Sequence, residues 1–366
     1  MYHIKKINDF DNNCNIAFLC GCQYIKESES DKRNVLKKFL ESDENNLSCL
    51  IIENFFDFIK DLRKENSKLK LSKSFFSFDN SALIELLSAA IVDYIFIIHE
   101  TFSTAAELGL FASNKITANK ICLITPSSLF VEKSFITTFI EKAFILDDKN
   151  NIFYSHFKLI THITYNPSIK KIYKTNDYFD FYTYFYNNNI DKTLSSDILQ
   201  FLRKNSPESI LSCKNYFKHL YPKKIEKKYY LTISIDLFKA FLISLLTLPE
   251  VKNQLNKPKP IEQHIIFLSD YFHSLVLNTY SFYSKNRKNI VYPLKIKYYD
   301  YVDIDNFFYF ILFIFDRACF IKFSVKNNSK FVFFKYKKRF SSHIIKKYSK
   351  IIERKKTAYE RKFSYI

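Results

Sequence analysis

Two glycines, one methionine and no tryptophan occur in a chain of 366 residues. Average usage would supply roughly 25 glycines, so the two that remain mark places where a side chain would collide with backbone or ligand. Both sit where a strand passes into a helix: Gly21 after the first apolar run, and Gly109 two residues beyond Glu107. The scarce tryptophan and methionine, set against abundant Lys, Asn, Ile, Phe and Tyr, reflect A/T-rich coding rather than a folding need. Seven cysteines, an odd number scattered through apolar runs, exclude a disulfide framework and indicate buried thiols in a reducing compartment. Cys20 and Cys22 form a C-x-C with no second pair beside it, and the eight histidines are dispersed, which argues against zinc. No metal and no cofactor are expected. The opening MYHIKKINDFDNN lacks the apolar core of a signal peptide. The longest uncharged apolar run, Asn306 to Phe315, is too short to span a bilayer. A cytoplasmic protein without membrane contact is expected.

Charge is abundant but uneven. The formal net charge is +19, yet residues 1–110 carry 13 Lys/Arg against 17 Asp/Glu, while Phe320 to Ile366 carry 15 against two. An acidic front and a strongly basic end imply separate tasks, the second suited to a polyanion such as nucleic acid. The length allows two domains of ordinary size.

Apolar runs and amphipathic stretches alternate through the front half. Strands are predicted at Asn15 to Cys20, Leu47 to Ile52, Asp93 to Ile98 and Lys120 to Thr125, and helices around Leu36 to Leu40, Ser81 to Ala90 and Thr104 to Phe111. This alternation predicts an α/β fold with an open, mostly parallel, Rossmann-like sheet, whose ligands bind at the carboxyl ends of the strands. Beyond an Asn/Tyr/Asp-rich stretch, helices are predicted at Ser195 to Arg203, Ser206 to Leu220, Ile235 to Leu246, Glu262 to Tyr283 and Asp305 to Phe315. A hairpin follows, with Cys319 to Val325 and Lys330 to Tyr336 flanking the turn Lys326 to Ser329. Helix followed by basic hairpin is the outline of a winged-helix module or of an ordinary helix packed on a ribbon. The expected division is a sheet domain over 1–165, a linker over 166–191, a mainly helical, winged-helix-like domain over 192–340 and a basic tail over 341–366.

The segment HETFSTAAELGLFA follows the buried strand DYIFII and contains Glu100, Ser103 and Glu107. One reading of Glu107 is a first-turn acid favoured by the helix dipole, with Ser103 or Thr104 as the cap. The other is a partly desolvated carboxylate, because Ala105, Ala106, Leu108 and Gly109 leave room for a substrate to approach it. Here the sequence resembles a known family. FLCGCQ (Phe18 to Gln23), Arg33 on the next helix, an acidic helix before a strand beginning at Asp93, and ETFSTAAELGLFA together resemble the nucleoside 2-deoxyribosyltransferase-like domain of type II retron effectors. The resemblance covers about residues 14 to 140 and returns at ERKKTAYERKFSYI.

The resemblance implies a retron effector in antiphage defence, a toxin that cleaves an N-glycosidic bond in NAD or another nucleotide or nucleoside. It also implies control by a reverse transcriptase with its multicopy single-stranded DNA or RNA, and a higher-order assembly. Glu107 matches the glutamate that attacks C1′ of the sugar. Glu85 matches an acid facing the nucleobase, which would protonate or orient the leaving group, and Glu100 would bind ribose hydroxyls. Gly21, Cys22 and Gln23 with Arg33 would receive a phosphate or the sugar edge, and Asp93, Ser103 and Gly109 would complete the pocket. Ser103 and Cys22 stand where the family often has glycine. A nucleoside-salvage transferase shares this chemistry but has no need of a basic tail. A catalytically inactive nucleic-acid scaffold is the third reading. For nucleic acid, Lys335, Lys337, Lys338, Arg339, Lys346, Lys347, Arg354, Lys355 and Lys356 supply phosphate contacts, with Phe333, Phe334, Tyr336 and Tyr348 interleaved for base stacking.

Overall fold

The computed structural model describes residues 2–4, 16–21, 31–42, 47–54, 81–99, 102–113, 115–125, 158–161, 189–190, 192–204, 220–225, 228–284, 293–296, 304–317, 321–325, 332–336 and 352–354. Two compact units emerge, one formed by Cys14–Phe56 with Asn80–Glu208, the other by Met1–Asn13, Asp57–Asp79 and Ser209–Ile366.

The first unit is built on five strands: β2 (Ile16–Cys20), β3 (Ser48–Leu50), β4 (Tyr94–Ile98), β5 (Ile121–Thr125) and β6 (Lys158–Thr161). They lie in the order β3-β2-β4-β5-β6, and every neighbouring pair is parallel. All five residues of β2 and of β4 are buried, which is why these strands read as unbroken apolar runs: a parallel sheet is covered on both faces. On one face Ala17, Leu19, Phe96 and Ile98 pack with Val35, Leu36 and Leu40 of α1 (Lys32–Leu40). On the other, Phe18 meets Phe111 of α3 (Phe102–Ala112) edge-on at 5.8 Å. Helices α2 (Ser81–Ile91) and α4 (Lys115–Ala118) complete the connections.

Two of the expected boundaries move. Helix α5 (Lys192–Lys204), expected to open the second domain, belongs to the sheet unit. Its Leu194, Ile198 and Phe201 are buried in the same cluster as Ala17 and Phe96, and the Phe201 ring lies 5.8 and 5.7 Å from those of Tyr94 and Phe96. An amphipathic helix settles where apolar sheet surface would otherwise stay in water. Conversely, residues 1–13, expected in the sheet domain, belong to the second unit. There β1 (Tyr2–Ile4) pairs antiparallel with β12 (Ile352–Arg354), Tyr2 opposite Arg354 and Ile4 opposite Ile352. The basic end is therefore strand-paired at 352–354 and is not a free tail there.

The second unit also contains a small sheet of order β7-β8-β9, from β7 (Leu220–Ile225), β8 (Lys228–Ile233) and β9 (Leu294–Ile296). Four helices follow or intervene among the described residues: α6 (Ile235–Leu246), α7 (Pro249–Leu255), α8 (Ile261–Ser284) and α9 (Ile304–Arg317). Phe238 sits at the centre of an aromatic core, its ring 4.9 Å from Phe272 and 5.0 Å from Phe307. Helix α9 buries Phe307, Phe308 and every residue from Phe310 to Phe315, as a helix apolar on all sides must. The expected hairpin is present as β10 (Ile321–Val325) paired antiparallel with β11 (Val332–Tyr336). Among the described residues no helix is long and apolar enough to cross a membrane.

Candidate active site

The chain leaves β2 for β3 on one side and returns to β4 on the other. Such a reversal of strand order opens a crevice at the carboxyl ends of the two central strands, where α/β sheets bind ligands. Cys20 and Gly21 end β2, His99 ends β4, Glu53 follows β3, Asp31 and Arg33 begin α1, and Glu85 lies in the first half of α2. Glu107 reaches the same edge from α3.

Glu107 occupies the second turn of α3, which has no acid in its first turn, so the helix dipole does not account for it. Its carboxyl takes a hydrogen bond from the buried Cys20 thiol, while Oε2 is buried without a hydrogen-bond partner among the described residues. Burial pushes the Glu107 carboxyl up to about 8; the charges of Glu85 and Glu53 push the same way, and Arg33 and the Cys20 bond pull it down. An orphaned, desolvated carboxyl is costly unless a ligand or a reaction uses it. Burial also raises Glu85, with a further push from Glu53. The Cys20 thiol is raised well above its ordinary value by burial and then by Glu107, Glu85 and Glu53. It is a hydrogen-bond donor here, not a nucleophile.

Arg33 departs from its expected role. It is 1% exposed and its guanidinium is engaged by protein carboxylates: Asp31 at 3.0 and 3.1 Å, and Glu53 at 2.6 Å. Burial opposes its charge, but the bonds to Asp31 and Glu53 more than offset this and hold it firmly protonated. It therefore forms the floor of the edge and does not present itself to a phosphate. Gly21 explains how: a Cβ there would lie 2.9 Å from Arg33 Cδ, so this glycine is required by a protein side chain that crosses the end of β2.

The remaining candidates separate. Gly109 is exposed, and a Cβ there would meet nothing within 4 Å, so no steric demand keeps it glycine. Asp93 lies before β4, at the amino edge of the sheet, where its Oδ2 accepts from Ile16 N at 2.8 Å; it joins two strands and is remote from the carboxyl edge. Ser103 is exposed on the first turn of α3. Next to it, buried Thr104 Oγ1 lies 3.0 Å from His99 Nδ1 and ties α3 to the end of β4. Cys22, Gln23 and Glu100 lie outside the described residues, as do Lys337, Lys338, Arg339, Lys346, Lys347, Lys355 and Lys356. Arg354 is in β12. Lys335 is exposed on β11, directly opposite Lys322, with its Nζ 5.3 Å from the centre of the Phe333 ring. Glu53 and Asp31 were not among the expected residues. Among the described residues no group of three or more His, Cys, Asp and Glu is placed to hold a metal ion.

The first unit is thus a parallel α/β sheet with half-buried carboxyls near its strand-order reversal, and the chain carries a second, basic unit beside it in sequence. The model of the family described as STM3845 retron effector protein matches residues 29–242, well over half of the chain. The chain belongs to that retron effector family. It is also 29% identical over 143 residues to an Escherichia coli protein named "Retron Ec73 putative ribosyltransferase/DNA-binding protein", a match covering 39% of this chain. The match spans 42% of that relative's length, less than half of it.

Proposed function

We propose that this retron effector acts as a toxin in antiphage defence by cleaving an N-glycosidic bond of NAD or another nucleotide or nucleoside, through a nucleoside 2-deoxyribosyltransferase-like sheet unit. The observation that carries the reading is the Glu107 carboxyl, buried at the switch point with one oxygen unpartnered. In its ionised form that oxygen attacks C1′. The C1′–N bond breaks with its electron pair passing to the base: a purine or pyrimidine takes the proton of the Glu85 carboxyl, whereas the cationic nicotinamide of NAD leaves as the neutral molecule without one, and a glycosyl ester of Glu107 results. Water then adds at C1′ and releases Glu107, its proton passing to Glu85 where that carboxyl protonated the base, and to solvent where it did not. Burial raises Glu85 above the ordinary carboxyl range, which favours the acid form a donor needs, and it makes Glu107 a strongly basic carboxylate whose ionised fraction at pH 7 is about a tenth. The relative's name, which includes ribosyltransferase, supports the class of chemistry.

The same name includes DNA-binding. The exposed Lys322 and Lys335 beside Phe333 fit a second role for the basic unit, contact with single-stranded nucleic acid of a reverse transcriptase complex that restrains the toxin in the cytoplasm. Expression without such a partner is expected to be toxic, and Glu107→Gln to abolish toxicity at equal protein level, with base release by purified protein falling by about 10³-fold or more. Colony counts beside a chromatographic base-release assay check this. Toxicity equal to wild type from well-expressed Glu107→Gln would refute the enzymatic reading.

A further inference from the structure

We propose that Glu53 binds the 2′-hydroxyl of the sugar under attack and so makes the site selective for ribosyl over 2′-deoxyribosyl substrates. The inference rests on the reading of Glu107 as the group that meets C1′. Glu53 lies just beyond β3, the strand beside β2 on the side of the sheet where the chain first turns. In doubly wound sheets an acidic residue at the carboxyl end of that neighbouring strand is where ribose hydroxyls are received. The geometry suits the task. Arg33 Nη1 donates to Glu53 Oε1 at 2.6 Å, and Arg33 is itself fixed by two bonds to Asp31 and by the absence of a side chain at Gly21. The Glu53 side chain remains 38% exposed against 2% for Arg33, so one oxygen is anchored by the guanidinium while part of the carboxylate stays open to a ligand. An ionised carboxylate has about four acceptor sites and no donor; what it lacks is a hydroxyl.

Its neighbours make the same argument. Glu107 from α3, Glu85 from α2 and Cys20 from β2 all feel the Glu53 charge, with Arg33 from α1 opposing it at Glu107 and Cys20. The Arg33 pair offsets only part of the push that Glu53 exerts on Glu107, and a donor brought by the substrate would offset more of it. The group adjacent to C1′ that does so is the 2′-hydroxyl. Hydrogen bonds to that hydroxyl strengthen as positive charge develops at C1′. Glu53 therefore discriminates by the presence of one oxygen.

The test uses the full chain and matched probes: nicotinamide mononucleotide with its 2′-deoxy counterpart for turnover, and AMP with dAMP for binding. Glu53→Ala is expected to lower the ribo-to-deoxy ratio of kcat/KM by roughly 10- to 100-fold, the worth of one hydrogen bond to a charged group. Glu53→Gln, which keeps one acceptor oxygen, is expected to retain part of the ratio. Calorimetry on Glu107→Gln is expected to show AMP binding more tightly than dAMP, with the difference lost in Glu107→Gln/Glu53→Ala. A uniform loss of turnover with the ratio unchanged would mean that Glu53 is merely structural and overturns the proposal, as does equal binding or binding of neither nucleotide. Undiminished turnover by Glu107→Gln would instead refute the nucleophile, leaving the AMP-to-dAMP comparison to judge Glu53 separately.

Discussion

Burying the Glu107 carboxyl against Cys20, with Glu85 and Glu53 adding their charges, favours its protonated form in the folded chain. Between the ordinary glutamate value and about 8 the folded state binds a proton that the unfolded state has released, so stability falls as pH rises through that window. Glu107→Gln removes the titration. It is expected to unfold at a higher temperature than wild type at pH 8.5 and at a similar one at pH 4.5. The gap is on the order of 1–2 kcal/mol after allowance for the partly solvated side chain; a gap of opposite sign would mean that the carboxyl is stabilised as an anion. The same ionisation should give kcat/KM an ascending limb near pH 8 in wild type, since the nucleophile proposed for Glu107 is the carboxylate. At this scale the sequence exposes chemical type but not proximity. Glu107 stood out because its neighbours are small and apolar. Glu53 directly follows the run LSCLII, a place where an acid at a strand end could have been singled out. In sequence Gly21 and Arg33, twelve residues apart, are joined only by the resemblance, as receivers of a phosphate or sugar edge, and the steric link between them exists only once α1 folds back over the end of β2.

Elements with one period were legible and those with mixed character were not. Strands β2 and β4, helix α8 and the β10–β11 hairpin fall within a residue or two of their expected bounds, because burial on both faces or a helical stripe writes itself directly into the apolar pattern. Strand β7, LYPKKI, contains Pro222 and two lysines. It is tolerated at the edge of its sheet, where proline breaks no inner ladder, and it carries no strand period. Helix α5 was found but placed in the wrong unit, since periodicity gives an apolar face and not the surface that it covers. In the hairpin, Lys322 faces Lys335 across the ladder, an arrangement that costs stability unless an anion lies over the pair. Lys322→Glu is expected to stabilise the basic unit by about 0.2–1 kcal/mol and to weaken single-stranded DNA binding. It should also make the salt slope shallower by roughly 0.7 per lost phosphate contact. Filter binding across a salt series decides; unchanged affinity and slope would take the hairpin out of the interface.

At the scale of the molecule, β1 ties the front of the chain to residues 352–354, so the sheet unit lies in sequence between segments of the other. Deleting residues 1–6 is expected to speed hydrogen exchange in α8, which β1 packs against, by tenfold or more for each 1.4 kcal/mol lost from that unit. Strands β2 and β4 should keep their protection. Equal loosening of both would show that the two units unfold as one.

This connectivity also sets a clock. At a synthesis rate of about 5–20 residues per second, β1 waits roughly 20–70 s for β12 to be made, whereas the last residue of the sheet unit, Glu208, is made roughly 7–30 s before β12. The carboxyl edge bearing Glu107 thus has time to assemble while the basic unit is still incomplete. Under the proposed reading, a restraining partner that recognises the finished basic unit would arrive after the sheet unit has had its chance to fold. Restraint by such a partner would always begin with a lag, and each newly made copy would pass through a brief unguarded interval.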